Sequence, residues 1–153
     1  MGLGGIQMGG YTLTQADAEE LLKLAKRSLV NTIEFPESGK TIEFDVVGNT
    51  NNTVFSVLIF RGRISLTKYN IGARIKKNGI LLLELHINPS NIHYNPDGSK
   101  LTGAHWHIYT EKYGRQLAIP AENMEDENYI ENTIAFLDKF NVIDQPNVQC
   151  TLA

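Results

Sequence analysis

The chain has a single cysteine, Cys150, so it offers no disulfide within itself, and that scarcity fits a reducing compartment. It has no apolar run of about 18 residues, the length a membrane-spanning helix needs, so none is expected. It has little excess charge: 14 Lys and Arg against 17 Asp and Glu leave a formal net charge of −3. That balance gives no general drive toward nucleic acid, although local basic patches remain compatible with it. The first ten residues, MGLGGIQMGG, lack the basic start and sustained apolar core of a signal peptide. Ile6 stands where a myristoylation signal wants Ser or Thr. No repeat, low-complexity tract or interdomain linker divides the sequence. What is present is 153 residues, 42% hydrophobic and 20% charged, enough for one ordinary globular core. Residues 1–10 are read as a flexible leader and residues 11–153 as a single α+β domain, cytoplasmic and without membrane attachment.

Thr14 reads as a helix N-cap with Asp17 three positions on, and Leu13 is placed to staple toward Ala18. Ala18, Leu21, Leu22, Ala25 and Leu29 recur at helical spacing, with Glu19, Glu20, Lys23, Lys26 and Arg27 opposite, which predicts a helix over Gln15–Val30. From Asn31 the pattern changes to short β-rich runs. Thr41–Val47 alternates Ile42, Phe44 and Val46 with polar residues, Thr53–Phe60 is more continuously apolar, and Ile64–Tyr69 is expected as the next strand. A helix opening near Asn123 should bury Tyr129, Ile130, Thr133, Phe136, Leu137 and Phe140, with Pro146 ending regular structure. The sum is an antiparallel sheet of about six strands flanked by an N-terminal and a C-terminal helix.

The turn at Asn78-Gly79 sets a register. A two-residue turn would place Arg74 and Lys76 opposite leucines. A three-residue loop with Gly79 left-handed instead puts Ile71, Ala73 and Ile75 on one face with Leu81, Leu83 and Leu85. Arg74 and Lys76 then share the other face with Ile80, Leu82, Glu84 and His86. Because a one-residue slip flips every side chain, the apolar match favours this register.

All four histidines fall between Leu81 and Pro120: His86 at the end of an apolar strand, His93 in the polar loop Asn88–Gly103, and His105 and His107 flanking Trp106. Such a concentration of the residue that titrates near neutrality and most often binds metal points to a site. Alternation places His105, His107 and Tyr109 on one face of the strand Ala104–Thr110 and Trp106 on the core side. Antiparallel pairing with the strand ending at His86 would gather Arg74, Lys76, Glu84, His86, His105, His107 and Tyr109 on one surface.

Three readings compete for that surface. In the first it is a metal-independent RNase or phosphodiesterase without cofactor, with His105 and His107 as acid and base, His86 and Tyr109 beside them, and Arg74, Lys76, Glu84 and His93 holding RNA or a nucleotide. In the second, His105 and His107 start a metal site with Glu111, since HxHxxxE resembles the first motif of cupin barrels. The glycine that should follow the glutamate and any second cupin motif are absent from this chain. In the third, the histidines are a solvent-facing surface, structural or used by a binding or inhibitor module on a protein partner.

The segment NPDGSKLTGAHWHIYTEKYGRQLAIP, Asn95–Pro120, followed by an acidic helix with an aromatic stripe, resembles a family of small uncharacterised bacterial proteins met in prophage and mobile-element settings. More distantly it is similar to toxin components of toxin–antitoxin pairs that carry an H-W-H-like stretch and are thought to be ribonucleases. The resemblance implies a small α+β fold with its focus on His105 and His107, and for the toxins an RNA substrate.

Overall fold

The computed structural model describes residues 6–7 and 10–151, with side chains from residue 12 onward. The expected leader over residues 1–10 lies mostly outside the described residues. In chain order the first elements are β1 (Ile6–Gln7), β2 (Gly10–Tyr11), α1 (Gln15–Lys23), β3 (Lys26–Ser28), β4 (Thr32–Glu34), β5 (Thr41–Gly48), β6 (Val54–Arg61) and β7 (Tyr69–Ile75). After them come β8 (Leu81–Ile87), β9 (His93–Tyr94), β10 (Lys100–Leu101), β11 (His105–Ile108), β12 (Ala118–Pro120), α2 (Tyr129–Lys139), β13 (Val142–Asp144) and β14 (Asn147–Gln149). The fold is α+β. Among the described residues no helix is long and apolar enough to cross a membrane.

The main sheet runs β12-β11-β8-β7-β6-β5-β3-β13. It therefore has eight strands rather than about six, and it is mixed, because β13 lies parallel to β3 while the other neighbours are antiparallel. The two extra strands come from places where local pattern misleads. Thr14 caps α1 by accepting the Asp17 N–H at 3.1 Å, as its sequence predicts. The helix nevertheless stops at Leu24, and the Lys26–Ser28 stretch leaves it to pair with Val46–Gly48 of β5. Lys26, read from sequence as part of the polar face, is fully buried. Its ammonium donates to the carbonyls of Leu22 (3.2 Å), Leu24 (2.8 Å) and Phe140 (2.7 Å) and lies 3.9 Å from the Phe140 ring centroid. It serves the carbonyls at the end of α1 while joining that end to the end of α2.

At the other terminus, the residues after α2 return to the sheet as β13, and beyond Pro146 β14 pairs parallel with β4. Pro146 ends one strand without ending regular structure. The second helix also begins later than its acidic run suggests, at Tyr129, since the carbonyls of Glu125 and Asp126 accept from Asn132 Nδ2 (2.8 Å) and Tyr69 Oη (3.1 Å). Those bonds hold the acidic turn against β7 in a non-helical shape.

The stretch read as a strand from Ile64 is a loop, and the strand starts at Tyr69. Arg61 explains the loop. Its side chain is only 3% exposed, donates to the carbonyls of Leu66 (2.9 Å) and Pro36 (3.3 Å), and packs 4.6 Å from the Tyr129 ring centroid. A buried guanidinium needs acceptors, and the loop supplies one of them.

The β7–β8 hairpin has Gly79 left-handed at φ 78°, with Ile71 opposite Leu85 and Ala73 opposite Leu83. The three-residue-loop register holds for that part. An irregularity between Ala73 and Arg74 then sets Arg74 opposite Leu81, which corrects two faces. Leu82 turns into the core at 0% exposure, and Leu81 joins Arg74 and Glu84 on the other side.

The core lies on one face of the sheet. Phe44, Val46, Phe55, Val57, Ile59, Ile71, Leu83 and Leu85 meet Phe136, Leu137 and Phe140 of α2, with Ala18 of α1 beside them. Trp106 packs against Phe136 with ring centroids 6.2 Å apart. The opposite face carries Glu43, Phe60, Asn70, Arg74, Lys76, Glu84 and His86 and is left to solvent except where the Asn88–Gly103 segment folds over one end.

Candidate metal centre

Strand β11 is HWHI, and its pleat sends His105 and His107 to the open face and Trp106 to the core. The antiparallel register sets His105 directly opposite His86 and His107 directly opposite Glu84 of β8. The fourth histidine arrives from the long loop, which is itself a small hairpin, β9 paired with β10. Asn95 pins that hairpin to β12, donating to the Ala118 carbonyl (2.9 Å) and accepting the Ala118 N–H (2.8 Å). His93 Nε2 lies 2.9 Å from the Gln116 carbonyl.

All four imidazoles converge. Ring centroids of His86, His105 and His107 stand 4.9 to 5.0 Å from one another, and His93 stands 5.5 Å from His105 and 4.8 Å from His107. One ring nitrogen each of His86, His105 and His107 falls within 4.8 Å of the other two.

Second partners fix how two of these rings are protonated. His105 Nδ1 lies 3.0 Å from the Gly103 carbonyl and His107 Nδ1 lies 2.7 Å from the Arg115 carbonyl. A carbonyl can only accept, so each Nδ1 carries the hydrogen and each Nε2 keeps its lone pair. Burial pushes His107 down to about 4 and also lowers His105, so both rings are neutral at pH 7. His86 Nε2 is buried and has no aligned hydrogen-bond partner, although Glu84 Oε1 stands 3.3 Å from it. Burial alone would raise Glu84, but its contacts with His86 and Arg115 outweigh burial and hold the carboxyl below its usual range. Gly72 lies opposite Glu84, and a Cβ there would come within 3.2 Å of Glu84 Cγ, so the bare strand gives that carboxylate its room.

The structure thus brings together His86, His93, His105 and His107, with Glu84 beside His86. Tyr109 is not with them. Beyond Ile108 the strand follows the irregularity in β8, with the Tyr109 N–H on the Leu82 carbonyl, and the ring enters the core at 6% exposure. Its hydroxyl accepts the Leu13 N–H at 2.8 Å, a structural task. Arg74 sits in the adjoining hollow, 3.7 Å from Glu43. Lys76 is bound to Asp45 at 2.6 Å, away from the histidines. Glu111 accepts the Gln15 N–H at 2.9 Å, so the HxHxxxE spacing does not make a ligand set and the third nitrogen comes from His86. Sequence reading sees Lys68 only as one of a basic cluster with Arg61, Arg63, Arg74, Lys76 and Lys77, and passes over Asn70, which lines the histidine hollow with it, and Arg115, which binds Glu84. Lys68 and Asn70 bracket the start of β7, which was placed too early, and only the turn after β11 reveals Arg115.

A family model matches residues 13–142, the stretch holding every element from α1 to the end of α2 and each residue of this site. The chain belongs to a family of unknown function, DUF6978. No curated protein and no solved structure matches it. For this DUF6978 member the family carries no activity with it, so the chemistry has to be argued from the site.

Proposed function

We propose that this chain is a metal-dependent protein of hydrolytic type, with one divalent transition ion, zinc by preference, held by His86, His105 and His107. The observation that carries the reading is the convergence of three imidazole nitrogens within 4.8 Å, two of them on rings locked as Nδ1–H tautomers by backbone carbonyls. Zinc at ~2.0–2.1 Å from each ligand sets nitrogens about 3.4 Å apart, a contraction that small side-chain rotations accomplish. Metal ligands must be neutral, as burial makes His105 and His107, and they need partners that aim the ring, as the two carbonyls do. Three protein ligands leave a coordination position for water, the arrangement of catalytic rather than closed structural sites. That position opens on a hollow of about 260 Å³ lined by Lys68, Asn70 and His93.

The same features weigh against a metal-free acid–base pair. Such a pair needs one imidazole that is charged near neutrality, and burial favours the uncharged ring at both His105 and His107. Titration calorimetry of chelator-treated protein with zinc should give one ion per chain, and cobalt substitution should give the visible spectrum of a low-coordinate site. A His107→Ala variant should weaken zinc at least ~100-fold. Unchanged affinity in that variant, or no zinc bound at micromolar concentration, would sink the reading. Zinc binding without hydrolysis of an activated phosphodiester such as bis(p-nitrophenyl) phosphate would leave the centre and remove the hydrolytic role.

A further inference from the structure

We infer that the open face takes a nucleoside phosphate, with the phosphate at the histidine hollow and the base in the hollow next to it. Only the phosphate end rests on the metal reading above. The second hollow, about 330 Å³, lies beside the first, and Asn70 lines both. The two ends differ in chemistry. At the histidine end stands Lys68, whose ammonium donates to Ser90 Oγ at 2.7 Å and has no carboxylate partner among the described residues. An ammonium poised without a counter-ion beside a cationic metal centre favours an oxyanion, and the Asn70 side chain is placed between the two hollows.

The far end combines an apolar wall, Leu58, Phe60 and Leu81, with the charged groups Arg74 and Glu84, which suits a flat ring with polar edges. Asn70 and Gly72 lie on one face of β7, about 7 Å apart. Gly72 has no side chain of its own, and the space over it is bordered by Glu84 and Leu81 of β8, with Leu58 across in β6. Phe60, opposite Asn70, keeps 43% of its surface exposed on this solvent-facing side rather than in the core. A planar ring in this hollow would meet the Phe60 ring and Leu81, and its polar edge would meet Arg74 as a donor and Glu84 as an acceptor. Phosphate, a short polar spacer and a planar heterocycle in that order describe a nucleotide, either free or within a single strand.

Equilibrium binding to the zinc-loaded full chain tests this with adenosine monophosphate, adenosine, inorganic phosphate and a short single-stranded RNA. Adenosine monophosphate should bind at least tenfold more tightly than phosphate or adenosine. Phe60→Ser, at an exposed position, should weaken adenosine monophosphate about tenfold and leave phosphate unchanged, while Lys68→Ala should weaken both. A much tighter, salt-sensitive RNA complex would assign the site to a strand, and equal affinity per nucleotide would assign it to free nucleotides. Equal binding of phosphate and adenosine monophosphate, or a Phe60→Ser variant indistinguishable from the parent, would overturn the inference. Zinc alone, titrated in the same protein, reports separately on the centre. Zinc bound with no preference for the nucleotide would leave the metal reading standing and this one refuted.

Discussion

At the scale of single residues, two buried basic groups are treated in opposite ways. His107 is kept neutral, since burial takes it from an ordinary imidazole value to about 4, and its Nδ1–H is spent on the Arg115 carbonyl. The sign of the linked stability follows from that shift. Between about pH 6.5 and 4 the unfolded chain takes up a proton that the metal-free folded chain refuses, so stability falls as pH falls through this window and levels off below it. The loss from His107 is at most about 3 kcal/mol. Chelator-treated protein should show it as a falling denaturation midpoint that a His107→Gln variant flattens, and parallel curves for the two proteins would refute the assignment. Lys26, by contrast, has three carbonyl acceptors and the face of Phe140 around its ammonium, although burial presses it down to about 7. Lys26→Met keeps the volume but strands those carbonyls, and it should destabilise by about 3 kcal/mol. An unfolding free energy within about 1 kcal/mol of the parent's would show that the carbonyls find other partners.

At the scale of elements, legibility in the sequence depended on whether an element's partner lies nearby in the chain. The β7–β8 turn, the HWHI strand and the stripe Thr133, Phe136, Leu137 and Phe140 were readable because period and turn chemistry are local. The gathering of His86 with His105 and His107 followed from them. Strand β3 was not readable, because Lys26 and Arg27 continue a helical pattern and are drawn off only by β5 and by the end of α2. Tyr109 was misplaced for a similar reason. Alternation assigns it to the histidine face, and nothing in residues 104–110 reveals the irregularity across in β8 that turns it inward. Glu111 shows the limit of spacing motifs, since its carboxylate is engaged by Gln15 at the start of α1. The Tyr109 placement has its own consequence. Tyr109→Phe removes the acceptor of the Leu13 N–H and should cost about 1 kcal/mol of stability while leaving zinc affinity unchanged. Loss of zinc in that variant would return Tyr109 to the site.

At the scale of the whole molecule, the sheet divides its labour by face. The helices cover one side and supply the core, and the other carries the charged and imidazole groups, closed over at one end by the β9–β10 hairpin. The histidine centre lies toward the β11–β12 edge, among strands drawn from one stretch of chain, residues 69–120. The opposite edge is closed by β13 lying parallel to β3, a contact reinforced by the Lys26 bond to Phe140 across 114 residues of chain.

That parallel edge sets an order of events in time. Pairings between sequence neighbours close small loops and form early, whereas joining the two ends of the chain must wait for nearly all the rest. Leu83→Ala in the β7–β8 hairpin should therefore slow refolding, and Val142→Ala in β13 should mainly speed unfolding. Stopped-flow traces following Trp106 would separate the two, and a folding rate reduced by Val142→Ala in proportion to its destabilisation would reverse the order. In a refolding chain the histidine strands can come together before β13 docks on β3, so the hollow can take shape while Lys26 still waits for its last carbonyl.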